Sequence, residues 1–190
     1  EELAADENVI FFGEDVAEAG GVFAATPGLR DKYGDDRVFD TPISELALSS
    51  AAFGSAVAGM RPIVEIMFAD FLFLAMDSLV NQSAKYWYLS NEQKSIPLVV
   101  RSAVGGGGGF GPIHSQVPIS WFLGVPGLKI VAPSTPNDAK RLLKAAIRDE
   151  NPVLFFEHKT LYSTAENREE ITGVETLGKG RILREGSDVT

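Results

Sequence analysis

Two residues stand where chemistry could be done: Glu45, which closes the string "DTPISE" (40–45), and His114, one of two histidines, which follows "GGGGGFGPI" (105–113). Thr41 and Pro42 suit a helix start, which puts Glu45 in the first turn, where the positive end of the helix dipole favours a carboxylate. Capping alone would account for Glu45. The segment after it, "LALSSAAFGSAVAG" (46–59), is however built almost entirely of small residues, so its N-terminus is expected to be buried. A carboxylate buried there needs a donor or a proton from some partner.

The glycine run can be a phosphate cradle, a tether or an active-site loop. It satisfies GxGxxG only as any glycine tract does, and Pro112 with "HSQVP" follows where a dinucleotide fingerprint would open a helix. No Gly-Lys-Ser/Thr ends the run, so it is not a P-loop. A tether is awkward, because "LVVRS" before it and "WFLGVPGLKIVAP" after it both read as core. What remains is a loop leaving the carboxyl end of a buried strand, where open α/β sheets bind ligands, and this loop delivers His114 there. A surface or capping histidine fits the same position.

The elements that must position these residues are short apolar runs bounded by turns: 9–15, 62–68, 96–102, 128–133 and 152–157. None alternates strictly, so they read as strands buried on both faces. Between them lie helical patterns. Residues 136–149 carry Ala139, Leu142, Leu143, Ala146 and Ile147 on one stripe, with Ser134 or Thr135 as cap and Pro136 in the first turn. Residues 71–89 predict one long helix with Asp77, Asn81 and Lys85 four apart on its polar face. The order predicts an α/β fold with a mostly parallel sheet and helices on both faces.

The chain has 190 residues, 45% hydrophobic and 23% charged, enough for one well-buried core. Its net charge of -9, with 17 dispersed basic residues, excludes a nucleic-acid partner as the expectation. The most apolar run, "IVEIMFADFLFLAM", is broken by Glu65 and Asp70, which argues against a membrane span. The lack of cysteine fits a reducing compartment. "EELAADEN" reads like the end of a helix begun earlier, and after about residue 165 charged and glycine-rich turns surround one strand candidate, "RILRE" (181–185). The expected division is therefore a domain over 1–165, then a linker and the first strand of another domain over 166–190.

Several strings in order, "GED" (13–15), "DTPISE" (40–45), "FADF" (68–71), "HSQ" (114–116), "VPGLKIVAPSTPNDAKRLLKAAIRDENPVLFFEH" (125–158) and "LGKGRILREG" (177–186), resemble the beta subunit of the E1 component of 2-oxo acid dehydrogenase complexes. The resemblance runs from about residue 8 to the end. It implies a transketolase-like pyrimidine-binding domain and thiamine diphosphate as cofactor. By motif position Glu45 is then the glutamate that bonds the aminopyrimidine N1′ and favours the tautomer able to take the thiazolium proton. Phe71 matches the aromatic residue that stacks on the pyrimidine, Glu14 lines the same site, and His114 matches the histidine associated with acyl transfer to the lipoyl arm. The five-glycine loop departs from the more mixed loop of that family.

The same resemblance implies a potassium site on Leu98, Val99, Ala146, Ile147, Asp149 and Asn151, where carbonyls at a helix C-terminus would face a hard cation. It places the diphosphate and its magnesium on an alpha subunit, whose Gly-Asp-Gly motif this chain lacks. The partners it implies are that alpha subunit, in a heterotetramer of two alpha and two beta subunits, the lipoyl domain and core of E2, and a small 2-oxo acid, with a lean toward branched-chain substrates. The expected location is the bacterial cytoplasm, with the mitochondrial matrix as the alternative. Another transketolase-like thiamine enzyme, or a non-catalytic binding subunit of the same fold, are the competing readings.

Overall fold

Six strands form one sheet in the computed structural model, which describes residues 1–167, 176–180, 182 and 184–188. They are β1 (Val9–Gly13), β2 (Val38–Asp40), β3 (Arg61–Phe68), β4 (Val99–Val104), β5 (Lys129–Val131) and β6 (Val153–His158), in the order β2-β1-β3-β4-β6-β5. Every pairing is parallel. The α-helices are α1 (Glu2–Ala5), α2 (Leu29–Tyr33), α3 (Glu45–Val57), α4 (Tyr86–Leu89), α5 (Ile119–Phe122) and α6 (Pro136–Arg148). The five apolar runs of the sequence are all strands. β2 is a sixth, at the edge, whose three residues are too few to show as a run of their own.

Successive strand residues face opposite sides, and both sides are covered. Ile10, Phe12, Val64, Ile66, Val100 and Leu154 pack with Leu48, Ala52 and Ala56 of α3. Val9, Phe11, Ile63, Val99, Val153 and Phe155 pack with Ala146 and Ile147 of α6 on the other side. This two-sided burial is why the runs show no alternation, and each fully buried Phe, Leu, Ile or Val side chain contributes roughly 1.5–3 kcal/mol to it. The small side chains of α3 let it lie close to the sheet, as expected. Among the described residues no helix is long and apolar enough to cross a membrane.

Two local expectations need correction. α3 begins at Glu45, with Ser44 at the cap position and no side-chain cap, so Thr41 does not cap it and Pro42 does not open it. Residues 71–89 are not one helix: a 3₁₀ segment (Ala69–Ala75) runs into a π-helical one (Asp77–Ser83) and then α4. Asn81 does bond Asp77 at 2.8 Å as the spacing predicts, while Lys85 reaches the Pro126 carbonyl instead. The widening falls where the chain crosses at Gly127, whose Cβ would stand 1.8 Å from the Ala84 carbonyl oxygen if it had one. The strand candidate at 181–185 lies partly outside the described residues, since 181 and 183 are not among them. At α6, Thr135 rather than Ser134 is the cap, accepting from the Asp138 N–H.

Candidate active site

The carboxyl edge of the sheet gathers the catalytic candidates. β1 ends at Gly13, where a Cβ would lie 2.6 Å from the Glu65 carbonyl oxygen, so glycine lets the end of β1 approach β3. Glu14 follows, buried, with one carboxylate oxygen that has no hydrogen-bond partner. Thr41 is tied to the same strand end by its N–H to the Gly13 carbonyl at 2.9 Å, and its buried hydroxyl is also unpartnered. Glu45 stands beside them at the first position of α3, only 6% exposed, with the helix dipole behind it. Buried polar atoms without a partner call for an explanation, and a bound ligand group is one that would serve both of these at once.

Burial, and then the charge of Glu45, push the Glu14 carboxyl above its ordinary value, against a pull downward from the Ser44 backbone. A carboxyl whose pKa is higher folded than unfolded binds more protons in the folded state, so its contribution to stability falls as pH rises above the unfolded value. Glu14→Gln is therefore expected to raise the melting temperature at neutral pH and to leave it unchanged near pH 4. Thermal melts of the two proteins at both pH values check this, and an equal shift at both would contradict it.

Strand β3 delivers the second group. Its last residue, Phe68, is followed by Asp70 and Phe71, and His114 packs its ring edge-on against both Phe68 (4.8 Å between centroids) and Phe71 (5.2 Å). The structure thus brings Phe71 and His114 together and sets the helical segment 69–75 against α3, which carries Glu45. The glycine loop that bears His114 is closed at its base, where Gly105 N–H donates to the Gln116 carbonyl at 3.1 Å. The Asp70 carboxylate accepts from the Gln116 side chain at 2.8 Å and from its backbone N–H. Gly105 has φ +87°, and a Cβ there would stand 2.3 Å from the His158 ring. Gly105→Ala is expected to cost about 1–3 kcal/mol in urea denaturation and to displace the loop.

Sequence reading missed several residues that support this edge. Lys159, directly after β6, is buried and donates to the carbonyls of Gly105 (2.7 Å) and His114. One sheet face also holds a buried ionic group: Arg101 of β4 donates to Glu65 of β3 at 3.1 Å and to Glu157 of β6 at 3.0 Å, and the Tyr162 hydroxyl donates to Glu157 at 2.8 Å. Burial opposes the Arg101 charge, yet the Glu157 and Glu65 carboxylates outweigh it and its pKa is raised. Burial raises the Glu65 carboxyl even with Arg101 beside it. The available signal was a charged residue inside each of three apolar strands, where charges are rare unless paired.

The six residues expected to hold potassium lie at the opposite edge, where α6 ends and β4 and β6 begin. Leu98 accepts from Val153 N–H, and Ala146 from Asp149 N–H. The carbonyls of Ile147 and Asp149 both accept from the Arg61 guanidinium at 2.9 Å. The Asp149 carboxylate is held by Lys129 at 2.5 Å and by Asn151 at 2.9 Å. Burial alone would raise that carboxyl, but the bonds from Lys129 and Asn151 bring it below its ordinary value. Val99 is inside β4, paired on both sides, and so belongs to the sheet more than to this cluster.

A parallel α/β domain with a buried carboxylate, flat rings and unpaired polar atoms along its carboxyl edge belongs to the class of open α/β sheets that bind ligands at that edge. Residues 1–164 match the transketolase pyrimidine-binding domain model, and the chain belongs to that family. It is 48% identical to the 2-oxoisovalerate dehydrogenase subunit beta of Bacillus subtilis (strain 168), over all of this chain and 58% of that protein. Against the mitochondrial 2-oxoisovalerate dehydrogenase subunit beta of Dictyostelium discoideum it is 50% identical, over 97% of this chain and 50% of that one. Against the mitochondrial pyruvate dehydrogenase E1 component subunit beta-1 of Arabidopsis thaliana it is 42% identical, over all of this chain and 53% of that one. The chain therefore spans between 50% and 58% of the length of these relatives. A solved structure titled split gene transketolase, inactive beta4 tetramer, shares the fold with a TM-score of 0.71 at 18% identity, covering 97% of this chain and 55% of that one.

Proposed function

We propose that this chain is the pyrimidine-binding part of the beta subunit of a thiamine diphosphate-dependent E1 component, which decarboxylates a 2-oxo acid and passes the acyl group to a lipoyl arm on E2. The observation that carries the reading is Glu45, buried at the start of α3 beside the unpaired oxygen of Glu14 and the unpaired hydroxyl of Thr41. These atoms fit a heteroaromatic ring that presents nitrogens at one edge. When bound, thiamine diphosphate supplies a thiazolium carbon that adds to the 2-oxo group and holds the electrons released with carbon dioxide. Glu45 would hold a proton at the pyrimidine ring nitrogen, and Phe71 would offer a flat face to the ring. His114 would give a proton to the departing lipoyl sulfur. Burial at this edge strengthens each of these interactions by excluding water.

The rest of the site is assigned to an alpha subunit, which would hold the diphosphate and magnesium. In support, the edge is bordered by exposed apolar side chains, including Ile43 (80% exposed), Ile113 (62%), Val117 (52%) and Leu46 (51%), a pattern that suits a protein partner. A heterotetramer of two alpha and two beta subunits that docks on E2 belongs to the same proposal, as does a domain beyond residue 165. Potassium at the end of α6 is also part of it. Ala146 and Ile147 would offer carbonyls and Asp149 a carboxylate, and the ion would have to displace the Arg61 guanidinium from Ile147 and the Lys129 ammonium from Asp149, since like charges repel at a shared oxygen. Bacterial cytoplasm or mitochondrial matrix goes with this reading, since the relatives include a Bacillus protein and others named as mitochondrial.

The experiment mixes the full-length protein with its alpha partner, thiamine diphosphate and magnesium, and follows decarboxylation of pyruvate and 2-oxoisovalerate with a dye acceptor. The expected result is turnover of both, with 2-oxoisovalerate the better substrate. No turnover of any 2-oxo acid by the assembled protein would reject the proposal.

A further inference from the structure

The loop that carries His114 contains five consecutive glycines, so its own backbone restricts it little, and contacts from outside must set its shape. Gly105, Gly107, Gly109 and Gly111 all have positive φ. The side chain that reaches across this loop is Lys159. Its ammonium donates to the carbonyl of Gly105, where the loop starts, and to the carbonyl of His114, 45 residues away in sequence from the lysine. It lies over the rings of Phe68 and Phe110, 5.1 Å and 5.2 Å from their centroids. Lys159 itself is 7% exposed. A charge in such surroundings is expensive unless every face of it is used, and here carbonyls take two of its protons while aromatic faces cover its flanks. The Asp70 carboxylate, which holds Gln116 at the far end of the loop, is the negative charge acting on it.

We propose that Lys159 is a positioning residue for the acyl-transfer histidine: it clasps the two ends of the glycine loop and so sets the place of His114 against Phe68 and Phe71. Lys159 acts through His114, whose carbonyl it holds. His158 assists by walling Gly105, so the end of β6 supports the loop at two adjacent residues. The assignment of a reaction to His114 rests on the function proposed above, whereas the clasp itself does not.

The test uses the full-length protein assembled with its alpha partner, as wild type, Lys159→Met and Lys159→Arg. Hydrogen exchange of the peptides covering 105–116 is expected to speed up about tenfold or more in Lys159→Met while exchange in the strands is unchanged. The kcat for acylation of a free lipoyl domain is expected to fall by about tenfold to a hundredfold, with dye-linked decarboxylation within about twofold of wild type. Lys159→Arg, which still donates to two carbonyls, is expected to recover most of both losses. Unchanged exchange in 105–116 would overturn the clasp. A parallel fall in acylation and decarboxylation, or faster exchange with unaltered acylation, would overturn its role in positioning. If Lys159→Met does not fold, Lys159→Arg and Lys159→Gln carry the comparison, and acylation by Lys159→Gln equal to wild type overturns the proposal. Should wild type itself fail to decarboxylate any 2-oxo acid, the function proposed above is rejected while the exchange result still decides the clasp.

Discussion

Glu45→Gln is expected to lower kcat for dye-linked decarboxylation by about two to four orders of magnitude, the range over which a positioned acid or base acts. Glutamine has the shape of glutamate and can still bond a ring nitrogen, but it can neither hold nor return a proton there. The fold should not suffer. α3 has no side-chain cap to lose, and the substitution removes one of two neighbouring negative charges, so Glu14 is relieved of its second source of upward pressure. Thermal melting of Glu45→Gln should therefore match or exceed wild type while turnover collapses. Full activity in this variant would remove Glu45 from the mechanism, and a loss of activity accompanied by unfolding would show a structural role only.

Arg101→Met carries the largest expected effect on stability. Arg101 neutralises two buried carboxylates on neighbouring strands, and removing one member of a buried ionic group leaves uncompensated charge, which costs about 3–5 kcal/mol. The loss should depend on pH in a definite direction. Glu65, whose carboxyl burial already raises, then takes up a proton more readily folded than unfolded. Its contribution to stability is present at low pH and disappears as pH rises through the folded value, so the variant should be least impaired near pH 5. Arg101→Met combined with Glu65→Gln should recover part of the loss at neutral pH. Urea denaturation at pH 5 and 7.5 measures all three. A variant within 1 kcal/mol of wild type at pH 7.5, roughly the worth of a surface pair, would mean the group is solvated rather than buried.

The legible parts of this chain are those that depend on local order. A continuous apolar run such as "VIFFG" announces a strand covered on both sides, because each alternate side chain must leave water. The stripe on residues 136–149 announces a helix lying on a sheet for the same reason. Glu45, Phe71 and His114 were singled out by motif position through the resemblance, and the fold places Phe71 and His114 in contact and Glu45 beside Glu14 on the same edge. The start of α3 was misplaced because Thr41 and Pro42 carry the usual signals of a helix start, yet Thr41 is drawn to the end of β1 by the Gly13 carbonyl. The π-helical stretch was hidden because the same apolar and polar spacing serves an α-helix and a π-helix, and the close approach of Gly127 to the Ala84 carbonyl just after it comes from a residue more than 40 positions later.

From the order of its residues alone, the chain declared a parallel α/β domain, the loop that carries the histidine and a carboxylate near a helix start, since burial and turn chemistry act over a few neighbouring positions. Tertiary structure decided the partners: that Arg101 meets carboxylates 36 and 56 residues away, that Lys159 reaches across the glycine loop, and that Glu14 and Thr41 keep unpaired polar atoms beside Glu45. These contacts arise from strand order and register. Parallel pairing brings distant segments to one edge, and no local signal records which charges will then face each other.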